Sequence, residues 1–125
     1  MRFSSFALLL GTAALFAFDQ QTDDSLRYPE EKHLKNLKQL TFGADNAEAY
    51  WSFDGKMVSF QSNNPKWGLK CDQIFYTPIT GADLKNTMPK RISTGLGRTT
   101  CAFFLPNNKQ VLYASTHLSG NDCPP

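Results

Sequence analysis

The residues with the widest chemical repertoire in this 125-residue chain are three cysteines, Cys71, Cys101 and Cys123, and two histidines, His33 and His117. A zinc site needs such ligands at short, paired spacings, and the two histidines stand far apart with the cysteines scattered between and after them. Nucleophilic catalysis fares no better. The chain has no Gly-x-Ser-x-Gly elbow, no His-Glu-x-x-His pair and no glycine-rich phosphate loop carrying a lysine. "TGLGRTT", Thr94 to Thr100, has glycines, but no helix follows it, so it reads as a turn. No catalytic residue, metal site or cofactor is therefore predicted. What remains for the cysteines is disulfide chemistry, and an odd count leaves at least one thiol free or paired elsewhere.

Disulfides require an oxidising compartment, and the amino terminus supplies a route to one. "MRFSS" gives a positive start, and Phe6 to Phe18 is an uncharged apolar run with small residues at Ala13, Ala14 and Ala17. Residues 1–17 read as a secretory signal peptide, since the run falls short of the roughly 20 residues a membrane-spanning helix needs. The expectation is an exported protein, periplasmic or extracellular, with no stable membrane anchor after cleavage. Removing Arg2 with the leader leaves 12 basic against 11 acidic side chains, a balance that gives nucleic acid nothing to bind.

The elements that must position these residues come next. Residues 18–28 are polar and aperiodic and read as a linker. "PEEKHLKNL" puts Pro29 and two glutamates at one end and lysines at the other, which predicts a short helix over 29–37 with His33 on its surface. From Gln39 the pattern is strand and turn. "KQLT", "AYWS", "KMVSFQS", "QIFYTPI" and "KRIST" are predicted strands, and Asp54-Gly55 supplies positive-φ residues for a tight hairpin.

The same grammar then returns. "FFLPNNKQVLYAS", Phe103 to Ser115, lies on "YWSFDGKMVSFQS", Tyr50 to Ser62, at an offset of 53, with Trp51 on Phe104, Gly55 on Asn108, Val58 on Val111 and Phe60 on Tyr113. "QLTFG" matches "RISTG" with one residue of slip. A period of about 50 residues built from four short strands points to propeller blades. Blade faces must be covered by neighbours, so Trp51, Phe104, Phe60 and Tyr113 are read as packing between blades.

"QLTFGADNAEAYWSFDGKMVSFQS" resembles the repeat of TolB-like (WD40-like) propellers, whose hairpin reads Trp-Ser-Pro-Asp-Gly-Lys before an apolar strand. Phe53 stands where proline is usual, and the second copy keeps Pro106 but has Asn107-Asn108 for Asp-Gly. The resemblance covers roughly Leu37 to Ser115. It implies an all-β fold: a partial β-propeller of about two four-stranded antiparallel blades, over 39–90 and, incomplete, 91–125. Two blades do not close a ring, so the chain reads as the N-terminal part of a longer propeller. "KQLT" would complete a blade at the far end of that ring. Self-association through open blade edges is expected of the isolated piece.

In an up-and-down blade, the loop entering the first strand and the loop joining the second to the third open on one rim. That rule gathers Glu48, Trp67, Lys70, Asp72, Arg98 and His117 there, with all three cysteines. Cys71–Cys101 is the preferred disulfide and Cys101–Cys123 the second choice; Arg98 and Glu48 offer an ion pair between blades. The predicted function is an exported, non-catalytic scaffold that binds a protein or peptide through this rim. The alternative is the accessory propeller of a secreted peptidase whose catalytic domain lies beyond residue 125.

Overall fold

The computed structural model describes residues 26–80 and 84–124; the expected signal peptide over 1–17 and most of the expected linker over 18–28 lie outside them. The chain divides into one unit ending at Lys38 and a second beginning at Gln39. In the first, 29–37 is turn and coil rather than the predicted helix. The Glu31 carboxylate accepts the backbone N–H groups of His33 and Leu34, and Asn36 takes a positive φ of 55°, so local bonds replace helical ones. Nine residues with Leu34 still 52% exposed have too little propagation to offset the cost of nucleating a helix. Those same bonds hold the Glu31 carboxyl below its usual pKa, the amide of His33 contributing most.

The second unit is all β apart from one 3-10 turn, Pro65–Trp67. Strands β1 (Asn46–Trp51), β2 (Met57–Ser62), β3 (Gln73–Pro78) and β4 (Lys90–Arg91) form an antiparallel sheet in that order. A second sheet pairs β5 (Thr99–Phe104) with β6 (Val111–Ser115), again antiparallel. The predicted "KQLT" strand is absent: residues 38–42 are coil, and Leu40 serves instead as a side chain packed on the core.

The two sheets repeat each other in conformation. Tyr50 faces Ser59 and Trp51 faces Val58 in β1–β2; 53 residues on, Phe103 faces Leu112 and Phe104 faces Val111 in β5–β6. Both ladders slip at the same place, where Glu48 (φ 53°) and Cys101 (φ 52°) form equivalent bulges. The turns agree too. Ser52 N–H donates to Met57 O at 2.9 Å and Leu105 N–H to Gln110 O at 2.9 Å. In each turn only the second of the two central residues is left-handed, Gly55 at 68° and Asn108 at 55°. The predicted tight hairpin is therefore a longer loop, a turn followed by one left-handed residue, closed by the Asp54 carboxylate on Ser52 Oγ and Lys56 N.

Alternation along β2 sorts its residues between two faces. Val58 and Phe60 join Phe75 and Leu84 in the core, with Leu40, Trp67, Leu69 and Ile79 around them. Ser59 and Gln61 face the other way and meet the second sheet: Ser59 Oγ donates to Ala102 O at 3.2 Å, and Gln61 Oε1 accepts from Cys101 N at 3.2 Å. The Tyr50 and Phe103 rings meet at the same junction, tilted by 34° with their centroids 4.1 Å apart. Trp51, expected to be buried, is 61% exposed, whereas its counterpart Phe104 is 7% exposed, because only Phe104 has a sheet in front of it.

Candidate functional site

Strand direction sets one edge of both sheets against the other. The turns at 52–56 and 105–110 lie at one edge, joined by a 2.7 Å bond from Phe53 N to Asn108 Oδ1. The segments 62–72, 92–98 and 116–123 lie at the opposite edge, where the charged residues and two of the cysteines collect.

Gln73, buried at 2% exposure at the start of β3, braces that edge. Its Oε1 accepts from Ser93 Oγ (2.7 Å), Gly95 N (3.1 Å) and Thr99 Oγ1 (3.3 Å), while its Nε2 donates to Gly97 O (2.8 Å). Gly97 is needed there: its φ is 60°, and a Cβ would lie 2.7 Å from Thr116 Oγ1 and 2.8 Å from His117 N. Polar bonds to a buried amide thus fix a loop with little apolar content.

Cys71 and Cys123 form a disulfide, with Cα atoms 5.7 Å apart, and Cys101 is free and exposed. This corrects both expected pairings. The bulge carries Cys101 into β5 and onto an exposed position, while the loop after β6 returns Cys123 beside the β2–β3 loop that holds Cys71. These two cysteines are 52 residues apart, the spacing of the "QLTFG" and "RISTG" segments, so that slip was the available signal.

Beside the disulfide lies a cavity of about 290 Å³ lined by Lys70, Gln73, Arg91, Gly95, Asn121 and Asp122 among others. Asp72 sits next to it and pairs with Arg98 (3.7 Å), not Glu48 with Arg98 as expected. At 45% exposure for Arg98 this pair is a weak, screened one that orients the side chains more than it stabilises the fold. Glu48 instead accepts the hydroxyl of Tyr50, which raises the phenol above its ordinary pKa. Trp67 is half-buried, its ring 5.1 Å from that of Phe75, and forms part of a second hollow with Phe42 and Asn64. His117 Nδ1 lies 2.7 Å from Ser115 Oγ, and the same oxygen accepts the His117 N–H in a local turn.

Lys70, Asp72 and Arg98 thus lie at or beside one concavity; Trp67 has a hollow of its own, and Glu48 and His117 are engaged locally. Arg91, Gln73 and Asn121 were not anticipated, because their sequence context is that of ordinary strand and loop residues. Among the described residues, no group of three or more His, Cys, Asp or Glu side chains is placed to hold a metal ion, and no helix is long and apolar enough to cross a membrane. Chemically, the cavity offers cations, amides and backbone groups on a braced frame, suited to holding a polar or charged segment. No family model, curated protein or solved structure matches the chain.

Proposed function

We propose that this chain belongs to an exported, non-catalytic β-propeller scaffold of the TolB-like kind, which holds a protein or peptide partner at the Asp72–Arg98 edge of its sheets. The carrying observation is the braced concavity at that edge. Loops from both repeats converge on it, tied together by the Cys71–Cys123 disulfide and the buried Gln73 amide. Binding loops held on a rigid scaffold lose little freedom when a partner arrives. The propeller reading is supported by the repeat itself, since the second sheet reproduces the register and bulge of the first and packs face to face on it. Export is supported by the disulfide, which persists in an oxidising compartment.

Site-specific photo-crosslinking in the exporting cell tests this reading. A crosslinker at Lys70 or Asp122 should give protein adducts that Arg98→Glu removes, while one at Lys56 or Lys109, on the opposite edge, should give none. Adducts from the turn edge alone would overturn the proposal.

A further inference from the structure

The cavity beside the disulfide carries charge that its own loops do not neutralise. Arg91, the last residue of β4, lays its guanidinium on Gly95: a Cβ there would lie 2.8 Å from Cζ and 2.9 Å from each Nη. Near-equal distances to the three atoms mean that the flat face of the group rests on the glycine, which leaves its N–H edges directed sideways. Gly95 is a fixed floor, because its N–H donates to the buried Gln73 Oε1 at 3.1 Å. Lys70 lines the same cavity. Among the described residues, Asp72 is taken by Arg98, and neither Arg91 nor Lys70 has a salt-bridge partner. Asp122 is the one carboxylate among the described lining residues, so two cations stand there against one anion.

We infer that this cavity takes an acidic side chain, Asp or Glu, of the partner peptide, held by the Arg91 fork with Lys70 beside it. The inference rests on the reading that the Asp72–Arg98 edge holds a peptide, and adds what that peptide must present. A guanidinium held flat offers two parallel N–H donors at the spacing of a carboxylate's oxygens. An excess of one positive charge suits a monoanion, whereas Asp122 would repel the second charge of a phosphate group. A chain terminus is matched less well. Terminal carboxylates are captured by nests of free backbone N–H groups. Both glycine amides of the β4–β5 loop are already spent, Gly95 on Gln73 and Gly97 on Asn121 O at 2.9 Å. A volume of about 290 Å³ lies at the lower end for ligand pockets and suits one side chain rather than a helix.

Nuclear magnetic resonance titration of the full chain, its disulfide intact, with acetyl-Ala-Glu-Ala-amide tests the inference. The Arg91 Nε–H, Gly95 and Gly97 signals should shift saturably, and should stay in place with the corresponding Gln peptide, with acetyl-Ala-Ala-Ala bearing a free C-terminus and with inorganic phosphate. Arg91→Gln should weaken binding about tenfold, and Arg91→Lys should recover only part of it, because an ammonium has no fork. Asp122→Asn should tighten it about twofold, and Lys109→Gln on the opposite edge should change nothing. Unaltered Ser93 and Thr99 signals check that each variant keeps the Gln73 brace. Failure of the Glu peptide to saturate overturns the inference, as does equal binding of any control ligand or undiminished binding by Arg91→Gln. Crosslinking from position 122 in the exporting cell keeps the two readings apart. Adducts that survive Arg91→Gln overturn the carboxylate grip and leave the partner site standing, whereas a wild type without adducts overturns the partner site itself.

Discussion

At the scale of single residues, the bulge is where backbone and side-chain chemistry meet. Glu48 takes a left-handed backbone in β1, and its carboxylate accepts the Tyr50 hydroxyl. That bond favours the neutral phenol, so the folded pKa of Tyr50 lies above the ordinary value. A raised value means that the contribution to stability is present below the ordinary tyrosine pKa and is lost as pH rises through the higher folded one. Ultraviolet titration should therefore show a tyrosine that ionises at higher pH in the wild type than in the Glu48→Gln variant. Tyrosine titration curves that coincide between the wild type and Glu48→Gln would contradict the assignment. Nothing in the local sequence announced this pair, because it depends on a bulge that changes which side chains share a face.

At the scale of elements, the hairpins were legible because turn residues and alternation act over a few positions. Asp54, Gly55 and Asn108 specify their turns whatever surrounds them. Burial was not legible in the same way, since it depends on a neighbour that the strand does not contain. Trp51 and Phe104 make the point as a pair. Trp51→Ala should change unfolding free energy by less than about 1 kcal/mol. Phe104→Ala should cost about 3–5 kcal/mol. Urea denaturation of the two variants compares them directly, and equal losses would mean that the two faces are covered alike. The helix expected over 29–37 failed for a related reason: its end charges were suitable, but Leu34 found no surface to bury against.

At the scale of the whole molecule, the disulfide is the longest covalent constraint. It closes a loop of 52 residues between the two repeats. In the chain-entropy picture a loop of that length contributes about 4 kcal/mol, more than either shorter pairing would. Replacing Cys71 and Cys123 together by Ser should lower stability by up to about that amount, as should reduction. Cys101→Ser should leave it nearly unchanged. A double variant as stable as the wild type would show that the native contacts between the sheets suffice without the bridge. The same constraint shapes the candidate site, because it fixes one wall of the cavity beside Lys70 and Asp122.

The sequence by itself determined the strand and turn grammar, the 53-residue repeat and the edge on which charged loops gather, because alternation, turn residues and strand direction are local or periodic properties. It also placed Asp72, Arg98 and Lys70 at that edge without showing which of them meet. Only the tertiary structure decided that Cys71 pairs with Cys123, that Arg98 turns to Asp72, that Gln73 holds the loops, and that Trp51 lies open while Phe104 is covered. Each of these depends on which distant segments come to lie side by side, and that is fixed by the packing of one sheet on the other.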